Sequence, residues 1–167
     1  MRYFIGLGAN VGDRLTNLRE AVRRLEALGT IVGRSRVYAA SAVGGPPQGP
    51  YLNAAIALDS DLSPTELLAR AQEIETALGR DRASEVRWGP RVIDVDILMA
   101  GARGEVIVSE PALRLPHPRM KERGFALAPL CDLDATLMHP ELGRTLKALI
   151  SAAHADGQAW APTGDTL

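Results

Sequence analysis

The stretch Arg91-Val92-Ile93-Asp94-Val95-Asp96-Ile97-Leu98-Met99 decides how this chain is read. Its β-branched and apolar residues predict a strand. Side chains alternate faces along a strand, so Ile93, Val95 and Ile97 share one face and Asp94 and Asp96 share the other. Two carboxylates placed side by side repel each other. A cation between them offsets that cost. Hard divalent ions such as Mg²⁺ take oxygen ligands, often one or two carboxylates completed by substrate phosphates. An isolated D-x-D is more often a pair of solvated aspartates, so the weight falls on its surroundings.

Working outward, four arginines precede the pair: Arg80, Arg82, Arg87 and Arg91, with Trp88-Gly89-Pro90 among them. A second basic stretch follows, Arg114, Arg119, Lys121 and Arg123, with His117 inside it. The chain has a formal net charge of -1, so these clusters are local. Guanidinium groups bind phosphate oxygens in bidentate fashion and stay charged. Carboxylates for a metal beside arginines for phosphate are the equipment that handles a nucleoside triphosphate. A solvated arginine loop would explain the arginines but not their adjacency to the paired aspartates.

The elements leading up to this strand set the fold. Residues 2–8 read as a first strand, and 14–28 as a helix capped by Asp13, with Leu15, Leu18, Val22, Leu25 and Leu28 as its apolar stripe. Residues 31–38 read as a second strand. A Gly-, Pro- and Ser-rich loop from Ala39 to Pro50 follows, then a third strand from Tyr51 to Ser60. Ser63-Pro64-Thr65-Glu66 combines an N-cap serine, a proline at the first helical position and a capping-box glutamate. The helix it opens ends at Gly79. Beyond the aspartate strand the pattern predicts a pair of short strands near 97–108 turning at Gly101-Ala102-Arg103-Gly104. A helix around 119–129, an amphipathic segment near 143–154 and a polar tail complete the chain. The order β-α-β-β-α-β with a C-terminal extension is the ferredoxin-like α+β pattern: an antiparallel sheet with two helices on one face.

The bounds agree with one domain spanning 1–167. At 167 residues, 46% hydrophobic and 23% charged, the chain can bury a core. Its single cysteine, Cys131, excludes an intramolecular disulfide and fits a reducing cytoplasm. No apolar run is long enough to span a membrane, and the N-terminus enters a strand rather than a signal peptide. Near-neutral charge argues against general nucleic-acid binding.

Other motifs carry less. Gly6-Leu7-Gly8-Ala9-Asn10-Val11-Gly12 misses the dinucleotide fingerprint by one residue and reads as a tight strand-to-helix turn. No Walker A sequence occurs. His139 and His154 have no metal-ligand partners at suitable spacing and read as surface or satisfied core residues. His117, in a proline-braced basic loop, is the candidate histidine. Gln72 and Glu75 lie three apart on the second helix and share a side of it, which makes a nucleotide contact plausible.

Five segments together resemble one family: Gly6-Leu7-Gly8-Ala9-Asn10, Tyr51-Leu52-Asn53-Ala54, Arg87-Trp88-Gly89-Pro90-Arg91 with Asp94-Val95-Asp96-Ile97, Leu115-Pro116-His117-Pro118-Arg119-Met120, and Arg123-Gly124-Phe125. They are similar, in order from residue 3 to about 140, to 6-hydroxymethyl-7,8-dihydropterin pyrophosphokinase of folate biosynthesis. The resemblance implies transfer of the β,γ-pyrophosphoryl group of ATP to the pterin hydroxymethyl oxygen, releasing AMP, with two Mg²⁺. It implies Asp94 and Asp96 as metal ligands, and Gln72, Glu75, Arg82, Arg87, Arg91, His117 and Arg123 as ATP contacts. Arg80 and Arg91 would favour the transition state. Ser41, Ala42, Gly44, Tyr51, Asn53, Trp88 and Phe125 would form the pterin site, with Trp88 and Phe125 sandwiching the heterocycle and Asn53 pairing with its edge. Ser41-Ala42-Val43-Gly44-Gly45 departs from the family's threonine, proline and bulky residue, and one extra residue falls between Glu85 and Arg87. The expected partners are ATP and the pterin, and the expected state is a monomer. Two other classes compete: a nucleic-acid module of the same fold, which needs sheet aromatics and an RNP signature that are missing, and a regulatory ligand-binding domain, which has no use for paired aspartates beside four arginines.

Overall fold

A strand that is apolar on both faces belongs in the middle of a sheet covered on both sides, and β1 (Arg2–Ala9) is such a strand. Tyr3, Ile5, Leu7 and Ala9 are buried on one face, and Phe4 is buried on the other. The structure is a computed structural model that describes residues 1–42, 45–83, 89–155 and 159–167. Gly44, Arg87 and Trp88 lie outside the described residues. Helix α1 (Arg14–Leu25) runs into a 3₁₀ turn (Glu26–Leu28). Strands β2 (Thr30–Arg34), β3 (Arg36–Ala40) and β4 (Tyr51–Asp59) follow, then helix α2 (Pro64–Ala77) and strand β5 (Asp94–Ala100). The remainder comprises β6 (Val108–Ser109), β7 (Arg114–Leu115), a 3₁₀ turn (Met120–Glu122), α3 (Gly124–Asp134), β8 (Met138–His139), β9 (Arg144–Thr145), α4 (Leu146–Ala155) and β10 (Trp160–Thr166).

The main sheet is antiparallel in the order β10-β3-β4-β1-β5, with β2 joined to β4 beside β3. Leu18, Val22 and Leu25 of α1 and Leu67, Ala71 and Ile74 of α2 pack with Ile5, Leu7, Ile56 and Ile97 on one face. Leu127 and Leu130 of α3 and Leu146 and Leu149 of α4 pack with Phe4, Ala57 and Met99 on the other. Helices therefore cover both faces, where the sequence pattern predicts two helices on one. Among the described residues helices cover the second face at the end where Phe4 and Met99 lie, and its other end carries the site.

The capping signal of α2 is realised: Ser63 N donates to Glu66 Oε2 at 2.8 Å, and Glu66 N to Ser63 Oγ at 3.4 Å. Three expectations are corrected. The strand predicted over 31–38 is broken at Ser35, whose backbone N donates to Ala55 O at 2.9 Å and whose Oγ accepts from Ala55 N at 2.8 Å. A serine can close a ladder with its side chain, so β2 and β3 continue along the same edge of β4. The hairpin predicted near 97–108 does not form. Gly101 and Gly104 do turn the chain, with φ of 98° and 73°, but β6 pairs with β7. The C-terminal polar tail is an edge strand, β10, paired with β3. Among the described residues no helix is long and apolar enough to cross a membrane.

Candidate active site

The site lies on the uncovered end of the second sheet face. Asn53 of β4 opposes Gly8 of β1, and Gly8 opposes Asp94 of β5. These three form one row across three adjacent strands, so Asn53 and Asp94 are two strand spacings apart, about 10 Å. The next row is Ala55, Gly6 and Asp96. The glycines are thus strand residues that form a floor and not the turn that the motif predicts; the turn residue is Gly12, with φ of 67°. A Cβ on Gly8 would lie 3.3 Å from Asn53 Oδ1, and one on Gly6 would lie 2.8 Å from Leu98 Cδ1. Any side chain there would fill the row between the amide and the carboxylates.

Above this floor is a cleft of about 550 Å³, within the range that holds one small ligand or two joined ones. One end is lined by Ala40, Ser41, Ala42, Tyr51, Asn53 and Phe125. The other is lined by Arg91, Asp94, Asp96, His117, Arg119 and Arg123. Asn53 is buried, and its Nδ2 has no hydrogen-bond partner among the described residues. A buried amide donor without a partner costs free energy, so its presence here points to a ligand with an acceptor.

Asp94 and Asp96 project together from β5, while Val95 and Ile97 enter the core. Burial, then the charge of Asp96, pushes the Asp94 carboxyl up to about 6, against the pull of Arg80. Among the described residues no cluster of three or more His, Cys, Asp or Glu surrounds a common point. The two carboxylates are a partial oxygen donor set. They fit a Mg²⁺ whose remaining ligands are water and substrate phosphate. A cation already interacts there, since Arg80 Nη1 approaches Asp94 Oδ1 at 2.5 Å, and Arg91 Nε lies at 3.7 Å.

Glu75 organises this end. It is buried at 1% exposure, and its Oε1 accepts from Arg80 Nη1 at 2.6 Å and from the Val95 backbone N at 2.8 Å. Arg82 Nη2 binds its Oε2. Among the described residues no strand lies on that side of the edge strand β5, and Glu75 satisfies the N–H between the two aspartates. Glu75 therefore lies beneath the arginines and does not line the cleft; Gln72, one turn earlier, is exposed and also outside it.

Asn10 holds the end of β1 in place through hydrogen bonds. Its Oδ1 accepts from Arg91 N at 2.7 Å, its Nδ2 donates to Gln48 Oε1 at 2.8 Å, and its N donates to Arg91 O at 2.9 Å. It ties the end of β1 to Arg91 and to the loop before β4. Tyr51 Oη donates to Gly89 O at 3.3 Å. His117 N donates to Leu98 O at 2.8 Å, and its Nδ1 accepts from Arg119 N at 3.2 Å. Nδ1 is thereby an acceptor, leaving Nε2 as the donor into the cleft. Burial pushes the His117 imidazole below its ordinary value, with Asp96 opposing. Burial and then Arg119 push the Arg123 guanidinium down, and the charge of a bound anion would offset both. Arg123 also lies 5.6 Å over the Phe125 ring. His139 is buried and His154 stacks on Trp160; neither is among the residues that line the cleft.

A family model described as 7,8-dihydro-6-hydroxymethylpterin-pyrophosphokinase (HPPK) matches residues 4–135. The chain belongs to this family. It is 45% identical over 132 residues to the 2-amino-4-hydroxy-6-hydroxymethyldihydropteridine pyrophosphokinase of Bacillus subtilis, covering 78% of this chain and 76% of that one. It is 36% identical over 158 residues to the enzyme of that name from Pseudomonas aeruginosa, covering 93% and 94%. Among solved structures, an HPPK-DHPS in complex with substrates aligns with a TM-score of 0.72 at 11% identity, over 93% of this chain and 43% of that one. The wild-type Plasmodium falciparum HPPK-DHPS with pterin and p-hydroxybenzoate aligns at 0.69 and 14%, over 93% and 43%. At these identities the likeness is one of fold, and the chain spans less than half the length of those proteins.

Proposed function

We propose that this cleft carries out the family's reaction: transfer of the β,γ-pyrophosphoryl group of ATP to the hydroxymethyl oxygen of 6-hydroxymethyl-7,8-dihydropterin, releasing AMP. The observation that carries the reading is the row Asn53–Gly8–Asp94. It sets an amide whose Nδ2 has no partner among the described residues about 10 Å from a carboxylate pair across a floor with no side chain. A flat heterocycle with its amide edge on Asn53 reaches along that row toward the aspartates.

The residues take roles by position. Asn53 pairs with the pterin edge, and Phe125 and Tyr51 supply apolar area, with Ser41 and Ala42 at the rim. Trp88 and Gly44 complete the pterin group by the resemblance alone. Asp94 and Asp96 would hold the two Mg²⁺ that the resemblance implies, and the chemistry such ions would supply there is neutralisation of phosphate charge. Arg91, His117 and Arg123 line the phosphate end, where a guanidinium and an imidazole N–H meet anionic oxygens. Arg80, paired with both Glu75 and Asp94, stands beside the carboxylates where it would meet the charge of the transferred group. Arg82, paired with Glu75 beside Arg80, belongs to the same basic group, and Arg87 joins it by the resemblance alone. Glu75 acts by holding Arg80, Arg82 and β5, and Gln72 would reach nucleotide only at the outer edge of the site.

The strand order supports a ferredoxin-like core, and the described chain reads as a single pyrophosphokinase domain. The protein is taken to act as a monomer in the cytoplasm, which size-exclusion chromatography with light scattering checks for the oligomeric part. Calorimetry on two variants tests the site. Asn53→Ala should lose pterin affinity with Mg-ATP binding unchanged, and Asp94→Asn should do the reverse. Variants that each weaken both ligands equally would overturn the division of the cleft.

A further inference from the structure

The segment beyond residue 135 lies outside the family match, yet its last strand reaches the pterin end of the cleft. Trp160 of β10 pairs with Ala40 of β3, and Ala40 lines that end. Directly opposed residues share a sheet face, so Trp160 lies on the face that carries the site. Its ring fills the space above Gly124, the first residue of α3. A Cβ built on Gly124 would fall 1.9 Å from Trp160 Cζ3, and its three nearest atoms all belong to that indole. His154 of α4 also packs on the indole, with centroids 4.0 Å apart at 32°.

The strand that carries Trp160 is anchored away from the site. Arg19 of α1 donates from Nε and Nη2 to Thr166 O at 3.0 and 2.8 Å. Leu167 packs against the main core. The C-terminal segment is thus a tie from α1 across the edge of β3 to the N-terminus of α3. Gly124 stands between Arg123 and Phe125, which line the two ends of the cleft. Fixing Gly124 fixes where Phe125 stands against the opposite rim at Ala40 and Ser41.

We propose that Trp160 is a positioning residue for the pterin wall, setting the first turn of α3, and with it Phe125, through direct contact with Gly124. The inference rests on the assignment of Phe125 to the pterin site. Among the described residues no hydrogen bond or ion pair joins Trp160 to Asp94, Asp96 or Arg91, so its larger effect falls on pterin. The pairing also accounts for a glycine at 124, because a side chain there would displace the indole.

The test is calorimetric titration of pterin and of Mg-ATP into the full chain carrying Phe125→Ala, Trp160→Ala, Trp160→Phe, Gly124→Ala or the double change Gly124→Ala/Trp160→Ala. Trp160→Ala should raise the pterin Kd about 3- to 10-fold, the span that loss of one aromatic contact converts to. The Mg-ATP Kd should stay within about 2-fold, inside the smallest effect that such a contact has. Trp160→Phe should restore most of the affinity. Gly124→Ala should weaken pterin in the native background and have little further effect beside Trp160→Ala. Pterin binding unchanged in Trp160→Ala while Phe125→Ala weakens it would overturn the proposal and leave the site assignment standing. Pterin binding unchanged in Phe125→Ala would overturn the assignment on which it rests. An equal loss for both ligands in Trp160→Ala and in Trp160→Phe would reduce the residue to general scaffold and also overturn it.

Discussion

Replacing Glu75 separates a scaffold role from a ligand role. Its carboxylate is 1% exposed and takes three donors: Arg80 at 2.6 Å, Arg82, and the Val95 N–H at 2.8 Å. Removing one partner of a buried ion pair costs about 3–5 kcal/mol, and an orphaned buried N–H adds about 1–3 kcal/mol. Two features pull the sum down. Arg80 keeps Asp94 at 2.5 Å, and Arg82 is half exposed and can turn to water. The lower end of the sum, about 4 kcal/mol, is therefore the expected loss for Glu75→Ala. For a domain of this size each kcal/mol moves Tm by about 2–4 °C, so Tm should fall by about 8–16 °C. Glu75→Gln should lose less, because its amide oxygen still accepts from Val95 N while its NH₂ faces an arginine. Urea unfolding followed by fluorescence measures both. A loss under about 1 kcal/mol, with the damage confined to ATP affinity, would refute the scaffold argument and make Glu75 a nucleotide contact.

Three further outcomes follow from the geometry. Asp94→Asn should nearly abolish turnover yet leave the urea midpoint at pH 7 unchanged or higher. Burial and Asp96 push Asp94 up to about 6 in the fold, so its ionised form opposes folding as pH rises through that range; a lower midpoint would contradict this. Burial acts to raise the Asp132 carboxyl, but hydrogen bonds from Arg36 and Tyr38 outweigh it and hold it below the ordinary carboxylate value. Its contribution is then complete above about pH 4 and is lost as pH falls through the folded value. Asp132→Asn should flatten the acid limb of the stability profile below about pH 4, as read by urea midpoints across pH, and an unaltered limb would count against it. Gly8→Ala should weaken pterin more than Mg-ATP by calorimetry, since the added Cβ lies 3.3 Å from Asn53 Oδ1; equal weakening would remove the floor argument.

Local signals made part of this legible in advance. The Ser63 capping box, the alternation around Asp94 and Asp96, and the order of the first elements each rest on neighbours in sequence, and the structure keeps them. Facts set by distant partners were not legible. Nothing near Ser35 in sequence shows that its hydroxyl closes a break against Ala55. Gly6 and Gly8 resembled a turn because only strand pairing reveals them as a floor. Glu75 reads as a polar helix residue until α2 is laid along β5. The last strand escaped because Trp160-Ala161-Pro162-Thr163-Gly164-Asp165-Thr166 holds a proline and a glycine, which an edge strand tolerates and a central one does not. Roles for Trp88, Arg87 and Gly44 rest on the resemblance and fall outside the described residues.

The most direct test of the central claim is the identity of the nucleotide product. The protein is mixed with ATP, Mg²⁺ and 6-hydroxymethyl-7,8-dihydropterin, and the quenched mixture is read by ³¹P NMR. The account predicts AMP and a pterin carrying two phosphorus atoms in equal amounts, dependent on the pterin and lost in Asp94→Asn and Asp96→Asn. ADP with a singly phosphorylated pterin, or AMP formation that persists without either aspartate, would contradict it.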